Sequence, residues 1–255
     1  MLNRIGRSGK IALFLVLFGV FAVGLVFGVD YTWTGNTDGA WNDESNWDDG
    51  DGFTVGDGYP DGNDDTATIN IVDTVSTLGG ALTIGELTLN NGSAVLNLDQ
   101  NLTIDTAGAE NGNVAITAGT LNMGANNLTI DNNLSLGNGS NLTQTTGNLT
   151  VTGTVTINIG VANDLTLNDA DNDFQSTVSI ASGDNITLQD TNNITFGAST
   201  VDTSLTVTTS GTVNQTGTIT APTLTLAGAG TYTLGAQNND VTTLDVSGGL
   251  GGDLS

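Results

Sequence analysis

The stretch that decides the fold is NLTIDNNLSLGNGSNLTQTTGNLTV, Asn127 to Val151. It repeats one phrase, an apolar residue, a polar one and another apolar one, with Asn, Gly or Asp between copies. Apolar residues at i and i+2 put their side chains on one face of an extended strand. Thr, the usual middle residue, is β-branched and suits a strand. Asn, Gly and Asp suit the turns between strands.

The phrase extends in both directions. Leu82-Thr83-Ile84, Leu102-Thr103-Ile104, Leu149-Thr150-Val151, Ile186-Thr187-Leu188 and Leu224-Thr225-Leu226 all carry it. After residue 30 no segment has an apolar stripe at helical spacing, and Lys, Arg, Glu and Met are scarce there. Strands this short could form a sandwich or a stacked solenoid. LNLDQNLTI (96–104) and LNMGANNLTI (121–130) are near copies about 25 residues apart, an interval that suits one three-strand coil. Asn101, Asn127, Asn148, Asn185 and Asn193 recur beside the strands, where stacked coils could align them in ladders. The fold expected is all-β, a parallel β-helix over residues 67–255.

Composition removes several chemistries. With no Cys and no His, the chain has no disulfide, no thiolate nucleophile, no Cys/His zinc site and no imidazole-dependent triad. Its three basic residues, Arg4, Arg7 and Lys10, lie in the first ten positions, whereas all 27 acids come after residue 29. The rest of the chain therefore makes no side-chain salt bridge, and its charge opposes nucleic acid. Residues 1–28 read as a signal peptide: a basic start, an apolar run from Ile11, and small residues that permit cleavage after Gly28 or Gly24. Uncleaved, the same run is long enough to anchor the chain in a membrane. Either reading places the remainder outside the cytoplasm, secreted or at the cell surface.

Residues 29–66 form a distinct head that holds all three Trp residues, Trp33, Trp41 and Trp47. Large rings among short turns suit a plug over the first coil, or alternatively a surface on which sugars stack. The head is also rich in Asp. Calcium takes six to eight oxygens from flexible, Gly-containing loops. Asp57, Asp61, Asp64 and Asp65 in the head, and Asp169, Asp171 and Asp173 in LNDADNDF (167–174), are therefore the candidate ligands for a structural Ca2+. Neither segment follows the EF-hand pattern. If residues 169–173 were a strand, the three alternate carboxylates would share a face. That arrangement raises the alternative of a carbohydrate-active β-helix enzyme. Against it, no Lys, Arg or His follows residue 10 to bind an acidic substrate. Alternating Thr in LTVTGTVTI (149–157) and SLTVTTSG (204–211) raises another alternative, an ice-binding solenoid, although the ranks look irregular from coil to coil.

The opening WTGNTDGAWNDESNW, followed by PDGNDDTATI, resembles the start of the passenger region of large bacterial surface proteins. The matching positions are Trp33, Gly35, Trp41, Asn46, Trp47, Pro60, Asp65, Ala67 and Ile69. Residues 171–197, with Asn172-Asp173-Phe174 leading into Val178-Ser179-Ile180, are similar to repeats of filamentous-haemagglutinin-like and autotransporter adhesins. The resemblance covers roughly residues 31–250. It implies a right-handed parallel β-helix on a bacterial surface, non-enzymatic, serving as a stalk or adhesin. The partners it implies are a host or environmental surface, a glycan or a matrix component. No translocator barrel, sorting signal or anchor helix is recognisable, and DVSGGLGGDLS (245–255) reads as the middle of a repeat. The expectation is a fragment of a longer protein, whose open solenoid end offers a route to self-association.

Overall fold

The computed structural model describes residues 28–35, 39–50, 58–76, 79–108, 110–246 and 248–255. The signal segment before Gly28 and the candidate ligand Asp57 lie outside the described residues.

The apolar–polar–apolar phrase forms strands, and the strands stack in parallel. Leu82-Thr83-Ile84 pairs with Leu102-Thr103-Ile104, which pairs with Leu128-Thr129-Ile130 and then Leu149-Thr150-Val151. The near copies noted above lie one coil apart, with Leu96 paired to Leu121 and Asn97 to Asn122. Repetition of this pairing gives a parallel β-solenoid of about nine turns. Neighbouring strands in a sheet stand about 4.8 Å apart, so the stack is roughly 40 Å tall.

Three walls surround the core in the first half of the chain. The first wall contains Asp30–Trp33, Thr66–Ile69, Leu134–Leu136, Val155–Asn158 and Thr177–Ser182, with the leading halves of Glu86–Asn97 and Val114–Gly124. The second wall contains Thr74–Val75 and the trailing halves of those two long strands, then Ser140–Gln144. It continues in register through Leu165–Leu167, Asn185–Asp190, Ser204–Thr209, residues 223–227 and residues 243–245. The third wall is a separate sheet of five short strands that ends at Asp173–Phe174. Beyond it, Ile186, Leu205 and Leu224 stack at intervals of 19 residues, whereas Leu102 and Leu128 stand 26 apart. The coil shortens because a turn at 190–193 replaces the third strand.

Inward residues form continuous apolar columns. Ile84, Ile104, Ile130, Val151 and Phe174 stack in the third wall, all at most 1 % exposed. Each such side chain contributes roughly 1.5–3 kcal/mol when fully buried. The corners are held by Asn in a way different from amide-on-amide ladders. The Asn101 side-chain oxygen accepts the backbone N–H of Asn127 at 2.9 Å, and the Asn127 oxygen accepts that of Asn148 at 2.9 Å. Asn133 does the same for Thr154 at 2.8 Å. At a corner the chain leaves the sheet, so its N–H needs another acceptor, and the Asn one coil below supplies it. Gly serves where coils meet most closely: a Cβ on Gly211 would lie 2.0 Å from the Asn192 carbonyl oxygen.

Candidate functional site

The head is a plug. Trp33, Trp41 and Trp47 are at most 1 % exposed and pack edge to face, with Trp47 centred 5.0 Å from Trp33 and 4.7 Å from Trp41. Their indole N–H groups donate to Asp73 Oδ2, the Pro60 carbonyl and the Trp41 carbonyl at 2.8, 2.9 and 2.7 Å. No ring face is available to a sugar. Residues Trp47–Asp48 pair antiparallel with Asp30–Trp33; every other strand pairing among the described residues is parallel. This reversed strand covers the outer edge of the first coil.

The candidate metal ligands fall into two turns. Asp65 is 8 % exposed; one of its oxygens accepts the Val29 N–H at 3.1 Å, and the other accepts those of Asp61 and Gly62 at 3.2 and 2.9 Å. It closes the turn that leads into Thr66–Ile69, while Asp61 and Asp64 lie on the rim of that turn. In the second segment, Asp169 and Asp171 occupy a turn rather than a strand, so the three carboxylates do not share a strand face. Asp169 Oδ1 accepts the Asp171 N–H at 3.0 Å, a local turn contact. Asp173 starts the last strand of the third wall and accepts from the side-chain amides of Asn192 and Gln175 at 2.9 and 2.7 Å. No group of three or more acids arranged to hold a metal ion occurs among the described residues.

The turn at 169–172 turns Asn172 inward, and this is a feature that sequence reasoning missed. Asn172 is fully buried; its oxygen accepts the Leu149 N–H and Gln144 Nε2 at 2.8 and 2.5 Å, and its nitrogen donates to Gln144 Oε1 at 3.1 Å. The same amide clamp recurs higher in the stack. Asn239 and Gln215 exchange two hydrogen bonds of 2.9 Å, and the Asn239 oxygen accepts the Ile219 N–H at 2.8 Å. The available signal was the pair of Asn-Asp-apolar triplets, Asn172-Asp173-Phe174 and Asn239-Asp240-Val241.

Asp190 was missed as well. It is 2 % exposed at the place where the third wall stops. Its two oxygens accept the N–H groups of Phe174 and Asn192 at 2.8 and 2.7 Å. Burial raises its pKa to about 6 against the pull of these two donors, and Asp173 adds to the rise.

The most regular surface of the molecule is the upper part of the second wall. Thr166, Thr187, Thr206 and Thr225 stand one above another, ending at Asp245. Beside them run Asn185, Ser204, Thr223 and Thr243, and on the other side Gln189, Thr208 and Ala227. All point outward and are half-buried or exposed, while the alternate residues, Ile186, Leu188, Leu205 and Val207 among them, are buried. The ranks that look irregular in sequence are thus aligned in space.

A family model described as repeats of unknown function (DUF5649) matches residues 111–181 and 183–247, together more than half of the chain. The two amide clamps sit at corresponding places in these two segments, Gln144 with Asn172 in the first and Gln215 with Asn239 in the second. No curated protein and no solved structure matches the chain.

Proposed function

The chain belongs to the DUF5649 repeat family, and on that premise we propose that it is a non-enzymatic, exported β-solenoid serving as a stiff stalk or adhesin outside the cell. The observation that carries this reading is the parallel register, which runs from Tyr31 through Ala67 and Leu87 to Leu244 and ties each coil to the next by both hydrogen bonds and apolar columns. A stack of that kind transmits force and holds distance. The acidic surface without basic partners suits a calcium-containing medium, with Ca2+ on the acidic turns as a structural ligand. The partners proposed are a surface glycan or matrix component. The carbohydrate-active alternative would have to use Asp169, Asp171 and Asp173, two of which serve a turn.

The test is an epitope inserted at the exposed Asn138-Gly139 corner of the full chain in its own cells. Labelling of intact cells or of the medium is the expected result. Label found only after permeabilisation would refute export. Hydrolysis of any member of a polysaccharide panel, abolished by Asp173→Asn, would refute the non-enzymatic reading.

A further inference from the structure

We propose that the upper second wall is an ice-binding plane, with the Thr187, Thr206 and Thr225 rank at its centre. Ordered water binds weakly to any single group, so a surface that holds ice must be flat, rigid and periodic in two directions. This wall meets those conditions by construction. Coils repeat at about 4.8 Å and alternate residues along a strand at roughly 6.6 Å, both close to oxygen repeats in hexagonal ice. Thr presents a hydroxyl and a methyl together, and its branched Cβ restricts χ1. The buried alternate residues of the same strands fix the plane from behind.

Charge distribution singles out this wall. The chain carries 27 acids, but the three outward columns contain none until Asp245 at their end; Asp190, on one of these strands, points inward. An uncharged hydroxyl plane on a strongly anionic protein complements an uncharged, hydroxyl-rich partner rather than a cation or a basic protein. Crystalline water fits better than a neutral polysaccharide, because glycan sites use aromatic platforms and this plane has none. Tyr31, Trp33, Trp41, Trp47, Phe174, Phe196 and Tyr232 are all buried. The third wall is a poorer candidate, since its single rank, Thr83 to Thr150, is flanked by Asp105 and Asp131.

The experiment compares the purified protein with T206K, which puts a long charged chain in the middle of the plane, and T156K, the same change at an exposed outward position of the first wall. Thermal hysteresis and partition into a growing ice front are measured, with circular dichroism to verify folding. The expected result is freezing hysteresis in the parent and in T156K, and a loss of about fivefold or more in T206K, as for the centre of any contact patch. Three outcomes overturn the proposal: no hysteresis and no ice partition in the parent, equal loss in both variants, or T206K-sensitive retention on insoluble cellulose without any freezing effect. If T206K fails to fold, T225K on the next coil replaces it and is read in the same way. This proposal does not depend on surface display, so a cytoplasmic location would refute the stalk reading and leave the plane to be judged by its own assay.

Discussion

Replacing Asp190 with Asn should change how stability responds to pH. The folded carboxyl titrates near 6 against an ordinary value of 3.8. Its folded pKa is raised, so the fold binds the proton more tightly than the unfolded chain does. Asp190 therefore opposes folding fully above pH 6, and that opposition is relieved as pH falls towards 3.8. A shift of this size corresponds to about 3 kcal/mol as an upper value. Asn cannot ionise, but its single oxygen can accept only one of the two N–H groups, which costs about 1–2 kcal/mol at every pH. The absolute effect of the substitution is thus small near pH 7.5 and destabilising near pH 4.5. The difference between its effects at these two pH values should be about 2–3 kcal/mol. Repulsion among the other acids also eases on acidification, but it does so in both proteins and cancels in the comparison. The assay is amide hydrogen exchange over residues 172–215 at several pH values, because a stack of repeats need not unfold in one step. Identical pH profiles for parent and variant would refute the argument.

The amide clamp predicts strong coupling. Asn172→Leu leaves the Leu149 N–H and the Gln144 amide unpaired and should cost about 3–5 kcal/mol, while Gln144→Leu with Asn172→Leu should cost less than the sum of the single changes by at least about 1 kcal/mol in urea melts. Gly211→Ala drives a Cβ into the Asn192 carbonyl and should destabilise by about 2 kcal/mol or more, whereas Gly80→Ala, with nothing within 4 Å, should be close to neutral. Trp47→Ala empties the centre of the plug and should cost about 3–5 kcal/mol, read from exchange in residues 66–104. Asp65→Asn should lower the melting temperature more than EDTA does, since the carboxylate holds three backbone N–H groups; a larger shift with EDTA would reverse the assignment.

Much of this architecture is legible in the sequence because each strand phrase does one local job. Leu102-Thr103-Ile104 declares its inward and outward residues by alternation alone, and Asn101 marks the corner before it. The features that were not legible depend on residues one coil away. Gln144 meets Asn172 across 28 positions, and nothing local to either announces the other. Asp169-Ala170-Asp171 alternates like a strand, but the inward demand of Asn172 makes it a turn. The Thr ranks are hidden because coil length varies with the turns, as in the step from 26 residues to 19. The position of Asp190 reads as one more solvated acid, and only the end of the third wall buries it.

The loss of that third wall has a mechanical consequence. Below Phe174 a pull along the stack is shared by three ladders of hydrogen bonds around each coil. Above it the walls are two, and the core inside them is smaller. Under tension the upper coils are the first to yield, each peeling away as a unit and releasing about 19 residues, or roughly 65 Å of extended chain. The molecule is built to fail gradually from that side, with the tryptophan-sealed base as the last part to let go.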